Sequence, residues 1–222
     1  LFDLRRSLST IDSIVKILNH SDEDESHAEE NDGWRREKKY TYPSLHLLAK
    51  DIVTFPQIVQ RIDQILDKFG KIRDNATPEL LQIRRELAKT EGSISRTLYS
   101  ILRSAQSEGV VEKDVTPTLR DGRLVIPVIP TLKKKIKGIV HDESATGKTV
   151  FIEPTEVVEA NNRVRELEGE ERKEIIRILT QFTNKLRPYT REIMDSYRFL
   201  AKIDLIQAKQ KLADVFKAIE PE

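Results

Sequence analysis

The 222-residue chain has no cysteine, one methionine and one tryptophan, and aromatic residues make up only 6% of it. Without cysteine, neither a disulfide framework nor a thiolate metal site can form. No apolar run approaches the roughly 20 residues that a membrane-spanning helix needs, and no secretory signal is visible, so the cytoplasm is the default compartment. The four histidines are far apart, and no nucleophile–base pattern stands out. We therefore predict no catalytic residues, no metal site and no cofactor within this chain.

What the sequence does contain is charge and helical periodicity. Charged residues make up 34% of the chain although the net charge is only +1, a balance typical of long helices washed by solvent. Apolar residues recur every three or four positions before residue 19, from Leu80 to Ala105, from 155 to 186 and after Pro188. Thr77-Pro78-Glu79 marks a helix start, with a hydroxyl cap, proline in first position and an acid in the first turn. The pattern predicts a mainly α fold.

An acidic segment interrupts the first helical pattern. Residues Ser21 to Gly33 read SDEDESHAEENDG and contain no apolar anchor. Such composition predicts a mobile surface loop, which we place at 19–42. A binding role for the acidic run is the less favoured alternative.

One stretch has the pattern of β-strands. Between residues 119 and 154, short runs rich in β-branched residues alternate with the turn residues Asp121-Gly122, Gly138 and Gly147. This pattern predicts a small antiparallel sheet. Long helical patterns on both sides suggest a sheet at the tip of an elongated domain, carried by two long antiparallel helices.

Positive charge gathers in the same stretch. From Arg120 to Val150 there are seven basic and three acidic side chains, a local net charge of +4. Because lysine makes point-charge contacts that ignore base sequence, the stretch predicts contact with a polyanion backbone. A patch that only keeps the tip soluble is the alternative. The predicted backbone contacts are Arg120, Arg123, Lys133, Lys134, Lys135, Lys137 and Lys148.

Two local patterns suggest chemistry that we do not predict. Gly147-Lys148-Thr149 looks like the end of a phosphate-binding loop, but Asp142 stands where that loop needs its first glycine, and a strand pattern follows instead of a helix. We interpret it as a turn that exposes Lys148. His141, Asp142 and Glu143 are adjacent, and adjacent strand residues point to opposite faces, which argues against a shared site.

The residues of this stretch also carry a family likeness. The ordered series consists of RDGR (120–123), VIPV (125–128), KGIVHD (137–142), SA (144–145), Gly147, FIEP (151–154), NN (161–162) and RELE (165–168). This series resembles the MutS family, in particular its bacterial paralogue branch (MutS2-type), which lacks mismatch-reading domains and usually ends in a Smr nuclease domain. The likeness is looser in the flanking helices and does not extend to the acidic segment.

The resemblance implies a core, or lever, region that carries a clamp. It also implies a dimeric parent protein with an ATPase domain, using ATP and Mg²⁺, and an endonuclease domain, linked to branched DNA, suppression of recombination and rescue of collided ribosomes. Neither catalytic domain has its motifs in these residues, and the chain starts without methionine inside a helical pattern. We therefore expect a non-catalytic piece of a larger protein.

These patterns define the predicted organisation. Residues 1–107 form the first part of the helical core or lever, 108–186 hold the clamp with its β tip (119–154) and a long helix, and 187–222 form the returning helix. Gly92, Gly169 and Pro188 are hinge candidates. The predicted function is sequence-blind binding of nucleic-acid backbone, coupled to the ATPase of the parent. The alternatives are a clamp for ribosomal RNA or the ribosome, and a structural dimerisation scaffold.

Overall fold

The computed structural model describes residues 1–20 and 40–218. This part of the chain is mainly helical with one small antiparallel sheet, which confirms the predicted fold class. The predicted acidic loop at 19–42 falls for the most part outside the described residues. In chain order the elements are α1 (Phe2–Leu18), α2 (Pro43–Ala49), α3 (Pro56–Ile65), α4 (Pro78–Ser107), β1 (Thr118–Arg120), β2 (Arg123–Val128), β3 (Gly138–Glu143), β4 (Val150–Pro154), α5 (Val158–Leu186) and α6 (Thr190–Phe216).

The chain divides into two compact units. The helical unit comprises Leu1–Arg73 and Thr180–Glu222, and the sheet unit comprises Asp74–Leu179. These limits differ from the predicted segments 1–107, 108–186 and 187–222 because α4 packs on the sheet. The segments themselves stay a prediction. No helix in the described ranges combines the length and apolar character that crossing a bilayer requires.

The helical unit has its core around α1. The apolar stripe that the sequence predicts there is buried, with Leu8, Ile11 and Val15 at 6% exposure or less. Phe199 of α6 completes this core, and Ser196 beside it donates from Oγ to the Val53 carbonyl at 3.0 Å. Helix α6 is thereby attached to the first helices of the chain by apolar packing and to the connection between α2 and α3 by a hydrogen bond.

The sheet unit holds the four strands in the order β1-β2-β4-β3, with every neighbouring pair antiparallel. Asp121 and Gly122 form the two-residue turn between β1 and β2, with φ angles of 47° and 73°. Positive φ at both positions is the type I′ geometry that Asp-Gly favours. Ile126 of β2 pairs with Ile152 of β4, and both are buried against Ile94 of α4 in one core. The sequence therefore placed the sheet within one residue of its observed start.

Helices α4 and α5 run antiparallel along a seam of charged side chains. Arg177 pairs with Glu79, Arg84 with Glu171 at 2.8 Å and Arg163 with Glu86 at 2.9 Å, so contacts later in α4 meet residues earlier in α5. The charged middle of α5 is thus supported mainly across the seam. The i,i+4 spacing of Glu168 and Arg172 within α5 favours an ion pair in an isolated helix, but these two side chains do not pair in the described structure. Thr77 caps α4 by accepting from the Leu80 N–H at 3.1 Å.

Candidate nucleic-acid interface

The lysine cluster, defined as Lys133, Lys134, Lys135 and Lys137, lies in the connection between β2 and β3. Pro130 to Lys135 form a short 3₁₀ helix, which begins at a proline because the first helical N–H needs no partner. Ile136 is buried in the core and anchors the segment, so the four lysines around it are exposed. None of them forms an ion pair with a carboxylate within the described residues. The cluster therefore presents four exposed ammonium groups that form no ion pair in the described structure, although Glu108 and Glu156 line a cavity with Lys135 and Lys137.

A close backbone contact fixes the end of this segment. A Cβ atom added to Gly138 would lie 2.1 Å from the carbonyl oxygen of Glu153, so only glycine fits there. The Thr155 N–H also donates to the Lys137 carbonyl at 3.1 Å. These contacts hold Lys137 directly at the start of β3, and they give the lysine cluster a defined position on the sheet.

Lys148 lies in the turn between β3 and β4. Ser144 donates its N–H to the Thr149 carbonyl at 2.8 Å, and Gly147, with a φ of 65°, donates to the Ser144 carbonyl at 2.7 Å. Strand β4 follows at Val150, so no helix N-terminus is present to hold a phosphate. The resemblance to a phosphate-binding loop ends there, and Lys148 is exposed, as the turn interpretation predicts.

Arg120 and Arg123 lie on the sheet face opposite to the core. The two residues are cross-strand partners, and Arg123 is three positions from the core residue Ile126, which places both side chains on the other face. The Arg120 guanidinium lies 4.2 Å from the ring centroid of Phe151, a cation–π contact that leaves Arg120 exposed. The structure thus separates the two arginines from the lysine cluster, which lies on the segment packed against the core face.

Arg123 is bound by a buried carboxylate. Its Nη1 donates to Oε1 of Glu153 at 2.8 Å, and its Nη2 donates to Oδ1 of Asn162 at 2.6 Å. Arg123 was predicted to contact a nucleic-acid backbone from charge alone. With its side chain only 14% exposed and two protein partners in place, the guanidinium has a structural role, because Glu153 already neutralises it.

Glu153 is the centre of a polar network inside the sheet unit. It is fully buried, accepts from Nδ2 of Asn161 at 2.8 Å and contacts Nε2 of His141. Burial raises the pKa of Glu153, but hydrogen bonds from Asn161, His141 and Arg123 outweigh that effect and hold its pKa below the usual carboxyl value. The network links β2, β3, β4 and the first turn of α5. Sequence reasoning missed it, although a glutamate inside the apolar run FIEP is a visible signal.

The three hinge candidates lie in or beside long helices. Gly92 and Gly169 are interior residues of α4 and α5, which continue through them, and a Cβ at either would meet nothing within 4 Å. Pro188 lies in a 3₁₀ turn, Arg187–Tyr189, that joins α5 to α6. None of the three coincides with the limits of the compact units. Their role as hinges stays a prediction.

No group of three or more His, Asp or Glu side chains within 1–20 and 40–218 could hold a metal ion. A groove of about 670 Å³ lies beside the β3–β4 turn. Its walls are mostly Val, Ile and Pro, and its only charged groups are Glu112 and Lys148. The feature of the sheet unit that stands out as a candidate binding surface is the lysine cluster.

Curated relatives account for most of the chain. The "Endonuclease MutS2" of Levilactobacillus brevis is 42% identical over 186 residues, which cover 84% of this chain and 23% of that protein. The chain is related to the MutS2 endonucleases. Those of Lacticaseibacillus paracasei (39% identity, 81% of this chain, 23% of the relative) and Geobacillus sp. (37%, 83% and 24%) agree. The relationship confirms the resemblance predicted from the sequence.

The MutS2 relationship covers only part of each relative. The chain spans about a quarter of the length of the MutS2 proteins that it matches. No protein-family model matches it. The name endonuclease therefore refers to relatives that are about four times longer than the matched region. The lysine cluster and the Glu153 network are features of this chain itself.

Proposed function

We propose that the sheet unit is a non-catalytic clamp that binds the phosphate backbone of nucleic acid without reading base sequence. The observation that carries this proposal is the lysine cluster, with four exposed ammonium groups on a short segment and no carboxylate partner in the described structure. Lys148 and Arg120 are exposed as well, and we include them among the backbone contacts. Arg123 is left out because Glu153 holds it.

Lysine is suited to this task. Its ammonium group is a compact point charge on a flexible stem, so it contacts phosphate without demanding one geometry. Each phosphate neutralised releases condensed counterions, and binding weakens steeply with salt. The segment is anchored to the core by Ile136 and Leu132, and the four exposed lysine side chains can adapt to different backbones.

Branched or duplex DNA is the partner that we favour, since the relatives are named endonucleases. Ribosomal RNA is the second candidate, because ammonium–phosphate contacts alone do not distinguish DNA from RNA. Both belong to the same backbone chemistry, and the test below uses both.

Movement of the clamp would be transmitted through the helices. The ion pairs between α4 and α5 attach the two helices along the sheet unit, which supports their movement as one body within that unit. We propose that they couple the clamp to an ATPase domain of the parent protein, which would hold ATP and Mg²⁺, and that the parent acts as a dimer.

The decisive experiment replaces the four lysines of the cluster with glutamine. Binding of the 222-residue chain to a DNA duplex, a four-way DNA junction and an RNA duplex is measured by fluorescence anisotropy across a salt series. We expect weaker binding and a shallower salt dependence on duplex DNA, with the log–log slope smaller by about 0.9 for each phosphate that the variant no longer neutralises. The relative reductions in affinity for DNA and RNA then rank the two partners.

A matched control removes the same charge elsewhere. Lys185, Lys202, Lys209 and Lys211 are exposed residues of the helical unit, and their change to glutamine alters net charge equally. The control is expected to bind nearly as the parent chain does. If the cluster variant and the control behave alike, local placement of the lysines is irrelevant and the proposal fails in favour of a structural scaffold.

A further inference from the structure

The outer face of α4 carries a second set of cations that sequence reasoning did not single out. We define the α4 basic stripe as Arg85, Lys89, Arg96 and Arg103, all of which are exposed. The spacings of four, seven and seven residues keep them on one side of a 3.6-residue helix. The buried Ile94 is two residues from Arg96, or roughly 200° around the helix axis. The stripe therefore faces away from the core of the sheet unit.

The stripe is unneutralised even though acids are close at hand. Within the described ranges, none of its four cations forms an ion pair. The acid best placed on α4 to meet Lys89 is Glu86, at i,i−3, and Arg163 of α5 binds it at 2.9 Å. Along the seam, by contrast, Arg84 and Arg177 each bind carboxylates. Glu86 also lines a groove together with Arg85 and Lys89, but its carboxylate is already paired with Arg163.

The residues between these cations suit contact with a polar ligand. Gly92, Tyr99 and Ser100 lie on the same side and are exposed, so the stripe contains little bulk and offers two hydroxyl groups. From Arg85 to Arg103 it extends roughly 27 Å at 1.5 Å per residue. One DNA strand presents a phosphate about every 3.4 Å along the duplex axis. Over that length each strand of a duplex has about eight phosphates, and because the strands wind around the axis, only those that face α4 would meet the stripe.

The stripe lies next to the lysine cluster. Lys135 and Lys137 line a cavity of about 290 Å³ together with Ser104 of α4. Ser104 directly follows Arg103, the last cation of the stripe. Glu108 and Glu156 line the same cavity, so the two basic surfaces are neighbours within one compact unit, with acidic side chains between them.

We propose that the α4 basic stripe is a second phosphate-backbone surface, along which a nucleic-acid duplex lies after contacting the lysine cluster. The proposal rests on the proposed function for its class of partner and extends it to a separate surface. Three of the four cations are arginine, whose planar guanidinium binds two phosphate oxygens at once. An anionic membrane fits less well, because a membrane-surface helix needs a free apolar face, and the apolar face of α4 is buried.

The test changes Arg85, Lys89, Arg96 and Arg103 together to glutamine, which is a good helix former. Affinities of the 222-residue chain for a 20-base-pair DNA duplex and an RNA duplex are measured across salt, beside the lysine-cluster variant and the helical-unit control. We expect the stripe variant to bind both duplexes more weakly, with a DNA salt slope lower by up to about 3.6, or about 0.9 for each phosphate. Circular dichroism and thermal unfolding verify that the variants fold alike.

The outcomes separate the two proposals. If the stripe variant binds like the control while the lysine-cluster variant is weakened, the stripe inference is overturned and the clamp function stands. The reverse result upholds the stripe and overturns the lysine cluster, and two unchanged variants overturn both. A second variant, with the three arginines changed to lysine, retains charge and should restore most of the salt slope. Unchanged duplex binding with lost binding to phosphatidylserine vesicles would identify a membrane surface instead.

Discussion

The sheet unit contains two kinds of positive charge, one paired with a buried carboxylate and the other exposed without an ion pair among the described residues. Around Glu153, the cation Arg123 is matched by a carboxylate, and Asn161 and His141 complete the contacts. On the lysine cluster and the α4 basic stripe, eight cations have no acidic partner in the described structure. Lysine and arginine counts alone would treat all of them as equal. The difference lies in position, because a buried carboxylate must be paired, whereas an exposed ammonium group is solvated by water.

The largest expected effect comes from breaking the buried ion pair between Arg123 and Glu153. In Glu153→Gln the shape is kept and the charge is lost, so Arg123 remains inside without its counterion. We expect the free energy of unfolding to fall by about 3 kcal/mol, because removing one partner of a buried pair leaves the other uncompensated. Urea denaturation measures the change, with Glu156→Gln as a control at an exposed acid three residues on. Equal stability of the two variants would contradict a structural role for Glu153.

A second expected effect concerns Gly138, which lies between Lys137 of the lysine cluster and the backbone of Glu153. In Gly138→Ala, the new methyl group would overlap the Glu153 carbonyl oxygen, 2.1 Å away, and no side-chain movement can relieve a backbone contact. We expect a loss of about 1–3 kcal/mol, the range of overpacked sites. Because Lys137 precedes this glycine, DNA affinity should fall as well. A variant with parental stability and affinity would show that β3 can shift without consequence.

The contribution of Glu153 to the free energy of unfolding should also depend on pH. The pKa of Glu153 is below the ordinary value of 4.5 in the folded chain, so the folded state favours its ionised form. Its contribution is therefore fully present above about pH 5 and is lost as pH falls through the folded pKa. We expect the stability difference between the parent chain and Glu153→Gln to shrink below pH 4.5. Urea titrations between pH 7 and pH 3 measure it, and a constant difference would show that ionisation of Glu153 is immaterial.

Local signals in the sequence predicted the elements well. Thr77-Pro78-Glu79 gave the start of α4 and Asp121-Gly122 gave the β1–β2 turn, because a cap or a two-residue turn involves only neighbouring residues. The Glu153 network was not predictable in this way. Arg123 lies 30 residues from Glu153 and reaches it only after the strands pair, so the sequence could not show which cations were already matched.

The two candidate surfaces also differ in how easily the sequence reveals them. The lysine cluster was visible because its members are adjacent in sequence. The α4 basic stripe is visible in principle too, since its four-, seven- and seven-residue spacing is a helical period. Apolar periodicity, which predicted the helix, does not reveal it. Whether those cations lack partners still required the structure, which shows that Arg163 of α5 takes the acid next to Lys89.

The smallest expected effect tests the unmatched side through Gly92, which lies within the α4 basic stripe. A methyl group there would meet nothing within 4 Å, so Gly92→Ala should stabilise the chain by about 0.5–1 kcal/mol through helix propensity alone. Gly169→Ala, equally open in α5, is the matched control and should behave alike. Duplex affinity should stay unchanged, because no cation is altered. If Gly92→Ala weakens binding while Gly169→Ala does not, the small residue at position 92 is itself needed by the bound backbone.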